Sequence, residues 1–511
     1  MSATYPTGPA RTILVATAIS CAILELIDST IVNVSLREIS GSIGATTTEI
    51  SWVITAYSIA NVIVIPLSGM LSSFFGRKYY FAGSVALFTL ASLMCGLSGN
   101  LWMLVGFRFI QGLGGGGLLS TAQSIIMDAF PPEKRTTALI VFGLGIILGP
   151  SFGPVLGGYI TDNVSWHWIF FVNLPIGIVA AILSTRFVPN LEGVEKPRID
   201  WIGIFFLVIG IGSLQYVLEE GSTLDWFDST EITTCFFAAL IFLTAFVIRE
   251  LSIDYPAVNL RLYRNFNLAM GNGMNLLAGI ILNGTLFTFP LFVQISLGWT
   301  AMQTGVFMIP GALAAIPAMI VVKKLLDDFK WNPKLVMFLG LVMTAIPLVL
   351  FSFSSGDSSG ASFFWPFVLR GFGALFMVMP VLGLATAGLK GKDLAQAVGL
   401  SNMLRQMGGA IGVAVMGVFL NYANAQVRGN LVGNVSDYNP LSVETLSGYA
   451  QVFRASGVGP EEAGQMALRL ADGAVTRQVQ LISYDHCFLM SALVVVLCLP
   501  IVLGIRYKKT T

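Results

Sequence analysis

Charge is what this sequence has least of. Only 11% of its 511 residues are Asp, Glu, Lys or Arg, against about 25% in a soluble globular domain. So few charges cannot cover a water-facing surface, which excludes a soluble enzyme. A hydrophobic content of 55% excludes disorder. The formal net charge of +1 offers no electrostatic footprint for nucleic acid. Histidine occurs twice, as His167 and His486, and the five cysteines (Cys21, Cys95, Cys235, Cys487, Cys498) lie in or beside apolar runs without metal-ligand spacing. That argues against a metal site, a disulfide framework, or a Ser-His-Asp or Cys-His catalytic set. No GxxxxGK[ST] sequence occurs, so ATP is not expected to drive this chain. The glycine run at 114–117 falls inside an apolar stretch and reads as packing. What remains is an all-α polytopic membrane protein.

A hydrocarbon core about 30 Å thick needs about 20 apolar residues of helix. Fourteen such runs occur, near 13–36, 51–72, 80–98, 102–125, 137–160, 168–186, 201–218, 232–250, 267–294, 302–322, 335–353, 362–388, 396–421 and 484–506. The first is too long for a signal-peptide core and reads as a retained span. With both termini on the cytoplasmic side, the inside segments hold twenty Lys and Arg, and the short outside loops hold one, Arg37. Four more lie in a long loop after span 13 and three, Arg108, Arg370 and Arg405, lie within spans. A bias of twenty to one is the positive-inside signature, and one span more or fewer would scramble it. The segment 218–231 carries acids and no bases, as an outside turn should. Spans 7 and 8 then form a hairpin between two six-span halves. The expected division is 1–186 for the first bundle, 187–266 for a linker with two inserted helices, and 267–511 for the second bundle, including the loop 422–483. Faint repetition supports paired halves: RFIQGLGGGG begins at Arg108 in span 4, and RGFGALF at Arg370 in span 12.

Glu25 and Asp28 are the only acids deep inside a span. Each costs at least ~2.5–3.5 kcal/mol to insert. Their i, i+3 spacing puts them on one helix face. Desolvation and mutual repulsion penalise two negative charges so close together, and a nearby arginine relieves that penalty. A carboxyl balanced between these influences can load and release a proton as access alternates. The alternative is a carboxyl satisfied by helix–helix hydrogen bonds. Arg108, with Gln111 and Gly112 one turn on, must face the bundle interior, either as a structural clamp or as the partner whose attraction changes when an acid in span 1 titrates. In span 5, Gly145, Gly149, Gly153 and Gly157 make a smooth stripe for close backbone approach, and Pro150 and Pro154 invite a bend.

These motifs resemble those of the major facilitator superfamily, and particularly its fourteen-span drug/proton antiporters of the EmrB type, over nearly the whole chain. LIDSTIVNVSL resembles the L-D-x-T-x-x-N-V-A signature, with its acid at Asp28 and its amide at Asn33. Gly69 to Lys78 resembles the G-x-L-x-D-x-x-G-R-K gating motif through Gly69, Gly76 and Arg77, with Ser73 where the motif carries aspartate. Arg108, Gln111 and Gly112 resemble R-x-x-Q-G. Gly149, Gly153, Pro154, Gly157 and Gly158 resemble the exporters' G-x-x-x-G-P-x-x-G-G, and WHWIFFVNLPIG (166–177) also looks like this subfamily.

The resemblance implies two six-helix bundles plus a two-helix insert, in the inner (cytoplasmic) membrane. It implies export of hydrophobic or amphipathic drugs in exchange for protons. No cofactor is expected, because the proton gradient supplies the energy. Asp28, Glu25 and Arg108 are the proton-coupling candidates. The polar candidates for substrate contact in a largely apolar cavity are Asn33, Gln111, Gln294, Asn402 and Arg405. Each could instead satisfy a neighbouring helix. The loop 422–483 reads as two helical stretches broken at GVGP, with an amphipathic stripe of Met466, Leu470 and Ala474. It would either rest on the membrane or its own domain, or contact a periplasmic adaptor (a membrane fusion protein) leading to an outer-membrane channel. Two competing functions remain in view: export of a single endogenous metabolite or siderophore, and a non-transporting membrane sensor or scaffold.

Overall fold

The computed structural model describes residues 8–131, 135–189, 199–356, 358–386, 389, 391–436 and 438–504. Among them the chain is helical throughout, with no strand. The helices are α1 (Gly8–Ile43), α2 (Thr47–Phe75), α3 (Arg77–Gly96), α4 (Leu101–Asp128), α5 (Arg135–Asn163), α6 (Trp168–Phe171), α7 (Asn173–Phe187), α8 (Trp201–Glu220), α9 (Thr230–Ser252), α10 (Phe266–Ile295), α11 (Ala301–Leu313), α12 (Ala315–Lys323), α13 (Pro333–Phe351), α14 (Gly360–Ala385), α15 (Gly391–Val432), α16 (Pro440–Ala455) and α17 (Pro460–Gly504).

Within the described residues, each of the fourteen apolar runs falls on a helix. Two are interrupted: 168–186 is α6 and α7, and 302–322 is α11 and α12, parted at Ala314 shortly after Pro310. Twelve helical segments among the described residues are long and apolar enough to cross a membrane. Helices α4 and α5 are not among those twelve. In α4 the reason is visible: Arg108, Gln111, Gln123 and four consecutive glycines lower its hydropathy, and all of these residues are buried against other helices. Of the basic residues that carried the side-to-side bias, Lys134, Lys196, Arg198, Lys390, Arg506, Lys508 and Lys509 lie outside the described residues.

Local chemistry sets the helix ends. Thr46 and Glu49 form a reciprocal capping box before α2, Asn100 caps α4, and Thr300 with Gln303 repeats the box before α11. Between α2 and α3 a single residue, Gly76, turns the chain at φ 83°, a conformation that a side chain disfavours.

The two halves repeat one packing scheme. In the first, α1 packs on α5, α2 on α4, and α3 on both α4 and α7. In the second, α10 packs on α15, α11 and α12 on α14, and α13 on both α14 and α17. The halves meet where α2 and α4 touch α15, and where α5 touches α11, α12 and α14. The inserted pair α8–α9 docks through α8 on both α2 and α15, so it straddles the seam between the halves. Two polar clamps hold it. Glu220 accepts hydrogen bonds from the Ser51 and Thr55 hydroxyls of α2 at 3.0 and 2.7 Å. Asp200 takes a bidentate contact from Arg249, tying the other ends of α8 and α9 together.

The expected loop 422–483 is corrected in two respects. Helix α15 continues to Val432, and the second polar stretch is not separate from the last span, because α17 runs unbroken from Pro460 to Gly504. An exposed ion pair from Arg428 to Asp472 ties the two extensions together, and α16 packs along α17. The stripe facing these neighbours holds Ala463 and Ala467, both buried, whereas Met466, Leu470 and Ala474 are exposed. Small residues won the packed face because they let helices approach closely.

The glycine stripe of α5 lies on α1. A Cβ at Gly157 would stand 2.7 Å from the Ile31 carbonyl oxygen, whereas one at the adjacent Gly158 would meet only a Val34 methyl at 3.9 Å. Gly157→Val is therefore expected to cost about 1–3 kcal/mol by overpacking, and Gly158→Val far less. Thermal unfolding of the two purified variants compares them directly.

A pH test applies to the insert. Burial disfavours the charged form of Asp200, but the Arg249 guanidinium and the backbone N–H groups of Gly203 and Ile202 outweigh it and hold its carboxyl below the usual range. A depressed carboxylate stabilises the fold at neutral pH and loses that contribution as pH falls through its own titration range. Acidification should therefore raise amide exchange at the adjoining ends of α8 and α9. Asp200→Asn should show the raised exchange already at pH 7, with a flatter response.

Candidate functional site

Asp28 and Arg108 meet in the interior of the first half. Asp28 is 0% and Arg108 1% exposed, and Arg108 Nη1 lies 2.6 Å from Asp28 Oδ2. The other carboxylate oxygen, Oδ1, accepts from Gln111 Nε2 at 2.9 Å and from Asn173 Nδ2 at 2.8 Å. Arg108 also donates through Nη1 to Gln111 Oε1 at 2.9 Å and through Nε to the Val53 carbonyl at 3.2 Å. Its guanidinium lies 4.1 Å from the centre of the Tyr57 ring, a cation–π contact in a desolvated place. Asn173 is itself positioned by Ser92, which accepts from Asn173 Nδ2 and donates to the Phe170 carbonyl.

Three donors meet the Asp28 carboxylate, from Arg108, Gln111 and Asn173, so the set complements a negative charge. A proton on either oxygen displaces one donor. Because Gln111 touches both members of the pair, that displacement also disturbs Arg108.

Helix α4 holds Arg108 through its glycines. Gly112 and Gly116 press against the Tyr57 and Asn61 carbonyls of α2, and Gly114 against Phe88 of α3. Any side chain there would push α2 and α3 away and remove Val53, Tyr57 and Ser92 from reach.

Glu25, one turn from Asp28, occupies a separate place. It is 5% exposed, and its Oε1 accepts from Asn61 Nδ2 at 3.0 Å, while Oε2 has no hydrogen-bond partner among the described residues. Glu25 and Asp28 share a helix face without sharing a partner.

The remaining candidates divide. Gln111 is committed to Asp28 and Arg108. Asn402 crosses the seam and donates to Gln123 Oε1 at 2.9 Å and to Ser120 Oγ at 3.3 Å, both on α4. Arg405, on the same helix as Asn402, is buried. Asn33 and Gln294 are exposed. Gly69 abuts Gln396 of α15, and Gly149, Gly153 and Gly157 line the α1 contact, with α5 continuing as a helix through Pro150 and Pro154. Arg77, next to Gly76, finds its carboxylate in Asp128 at the far end of α4, while Ser73 bonds back to the Gly69 carbonyl. Sequence reasoning missed Asp128, Tyr57, Asn61, Ser92 and Asn173. Among these only Asn173 gave a signal, as an amide within the WHWIFFVNLPIG stretch. No group of three or more His, Cys, Asp or Glu that could hold a metal occurs among the described residues.

Removing one member of a buried ion pair leaves the other uncompensated, at a cost of about 3–5 kcal/mol. Arg108→Gln alone and Asp28→Asn alone should each destabilise the purified protein, and the double variant should recover a large part of the loss. Additive losses in thermal unfolding would show that the pair is not coupled.

The Major Facilitator Superfamily model matches residues 18–413. The chain is 33% identical over 493 residues to the multidrug export protein EmrB of Escherichia coli K12, covering 95% of this chain and 94% of that protein. It is 31% identical over 482 residues to the fatty acid resistance protein FarB of Neisseria gonorrhoeae, covering 94% and 93%. Among solved structures, a bacterial homologue of the human lysosomal transporter Spinster aligns with a TM-score of 0.57 at 16% identity over 99% of this chain and 100% of that one. The human organic anion transporter MFSD10 aligns at 0.54 and 13% identity over 96% of this chain and 100% of that one. At such identities the structures speak to the fold alone, and they agree with the repeated helix pairing described above. A multi-pass helical chain of this architecture, matched by that model over most of its length, belongs to the Major Facilitator Superfamily, among its EmrB-type transporters, and is not an enzyme.

Proposed function

We propose that this protein exports hydrophobic and amphipathic small molecules across the cytoplasmic membrane in exchange for protons, with both termini inside. The observation that carries the reading is the fully buried Asp28 carboxylate, paired with Arg108 and bonded by two amides. In a proton-driven cycle Asp28 loses its hold on Arg108 when it takes a proton, and recovers that hold when the proton leaves on the other side. Packing at the α5–α1 and α2–α15 contacts then converts a local change of charge into movement between halves. Relatives named for multidrug export and for colistin resistance support a drug efflux role. The helical extension of α15, α16 and α17 supports a contact outside the bilayer with a periplasmic adaptor, since Leu441, Val443, Val452 and Leu468 stand exposed there.

Proteoliposomes with an imposed pH gradient and a panel of dyes test this reading. Several unrelated amphipathic dyes should be moved by the unaltered protein. Asp28→Asn should lose gradient-driven movement by about a hundredfold or more, the scale of a lost proton-transfer group. Gradient-driven transport of a single metabolite and no dye would favour a dedicated exporter, and no transport of any kind would favour a sensor or scaffold.

A further inference from the structure

The seam between the halves holds a second charged locus that the Asp28–Arg108 pair does not use. Helices α2 and α15 run past one another in register. Gly69 meets Gln396, and one turn on the Ile65 carbonyl meets Gly399. Continued by one and a half turns, that register brings Arg405 to the level of Asn61, the residue that holds Glu25. Met403 and Met407, flanking Arg405, pack against the apolar cluster that includes Val62 and Ile63 of α2, and Glu25 and Arg405 lie within electrostatic reach of each other.

Neither group is fully satisfied among the described residues: Glu25 Oε2 has no partner there, and Arg405, only 8% exposed, leaves Nε and Nη2 without one. Space at this level is kept by Gly115, where a Cβ would stand 2.9 Å from the Tyr57 hydroxyl and 3.5 Å from Glu25 Cγ. A second cation, on α14, reaches the same neighbouring helix, α10. Arg370, 6% exposed, donates from Nη2 to the Leu282 carbonyl of α10 and leaves Nε unpartnered. The Arg405 backbone crosses α10 at Gly279, one turn from Leu282. Among the described residues neither arginine makes an ion pair. Two buried cations with unpaired donor atoms near α10, of which Arg405 alone lies within reach of Glu25, leave this part of the interior deficient in negative charge.

We propose that Arg405 receives the acidic head group of an amphipathic monoanion, and that Glu25 is a built-in anion competing with it for that guanidinium. The inference deepens the export reading and rests on it for its place in a cycle. With Glu25 ionised, the internal carboxylate offsets Arg405 and disfavours a second anion. With Glu25 protonated, Arg405 is free to hold the head group while the apolar tail lies among the bundle's hydrophobic side chains. The charged and titratable groups around Glu25 are Asp28 on its own helix, Tyr57 from α2, Arg108 from α4 and Arg405 from α15. Helix α5 presents its glycines to α1, and α7 presents Asn173. Arg108 is already engaged by Asp28, so Arg405 is the cation open to exchange.

The test measures binding to the purified full chain in lipid nanodiscs, without a gradient, so that ligand preference is read apart from transport. The probes are a naphthalene sulfonate, anionic at every pH used, and a naphthyl trimethylammonium of matched size. The unaltered protein should bind the sulfonate more tightly at pH 5.5 than at pH 8. Glu25→Gln should bind it tightly with little pH dependence. Arg405→Gln should lose about tenfold in sulfonate affinity, the scale of a charged hydrogen bond, without losing affinity for the ammonium probe, and Arg405→Lys should restore part of it. Unfolding temperatures identify any variant that has lost its fold, in which case Arg405→Lys and Glu25→Gln carry the test. Unchanged sulfonate binding by Arg405→Gln, or full pH dependence in Glu25→Gln, would overturn the proposal. Correct binding without dye transport in the proteoliposome assay would instead count against the export reading alone.

Discussion

One ion pair sets the terms for the first half of this molecule. Asp28 and Arg108 are both enclosed, at a depth where an unpaired charge is expensive. Their mutual attraction alone does not repay desolvation; the further hydrogen bonds that Gln111 and Asn173 donate to Asp28, and that Arg108 donates to the Val53 carbonyl, are what make burial tolerable. The surrounding helices are arranged to deliver those groups. Asn173 opens α7 directly after the break that follows α6, and Ser92 on α3 fixes its amide. Tyr57 on α2 covers the guanidinium face. Four helices thus converge on two charges, and the arrangement is complete only while Asp28 carries a negative charge. A structure whose interior depends on the protonation state of one carboxyl has two possible interiors.

The helices can converge because glycine replaces side chains where they cross. Between helices in lipid there is no hydrophobic driving force, so close van der Waals approach and polar contacts supply the cohesion. Gly112 and Gly114 to Gly117 in α4 serve two neighbours at once, Gly112 and Gly116 turned to α2 and Gly114 and Gly117 to α3. The stripe on α5 serves α1 alone, and the residue beside it, Gly158, is not part of that contact. A smooth face of this kind holds two helices together without interlocking side chains, which suits an interface that must shift during a cycle.

The apolar helical stretches and their order could be read from the sequence because hydropathy acts over long stretches. The Arg108 neighbourhood was half legible: an arginine and two acids in apolar runs announce that partners exist. They do not say which acid pairs. Asp28 and Glu25 are equivalent in spacing, and only the positions of Gln111, Asn173 and Asn61 separate them. Asp128 was invisible as the partner of Arg77 because the two are joined by the fold of α2, α3 and α4, not by any local pattern. The misread stripe in α17 has a different cause. Two apolar faces, one bulky and one of small alanines, share that helix, and periodicity favours the bulky one while close packing selects the small.

The repeat makes the unequal roles of the halves explicit. Arg108 and Arg370 lie on corresponding helices, α4 and α14, each packed among the same set of neighbours in its own half. In the first half the arginine reaches a carboxylate on the leading helix, α1. In the second it reaches only a backbone carbonyl on the leading helix, α10, because no acid stands there. The same fold position therefore carries a neutralised cation on one side and an uncompensated one on the other. The first half holds a pair that is already satisfied, while the second half keeps positive charge without a carboxylate partner. Glu25, from the first half, lies within reach of Arg405, the other buried cation of the second. The asymmetry gives the two halves different electrostatics at one and the same fold position: a compensated pair in the first and a cation without a carboxylate in the second.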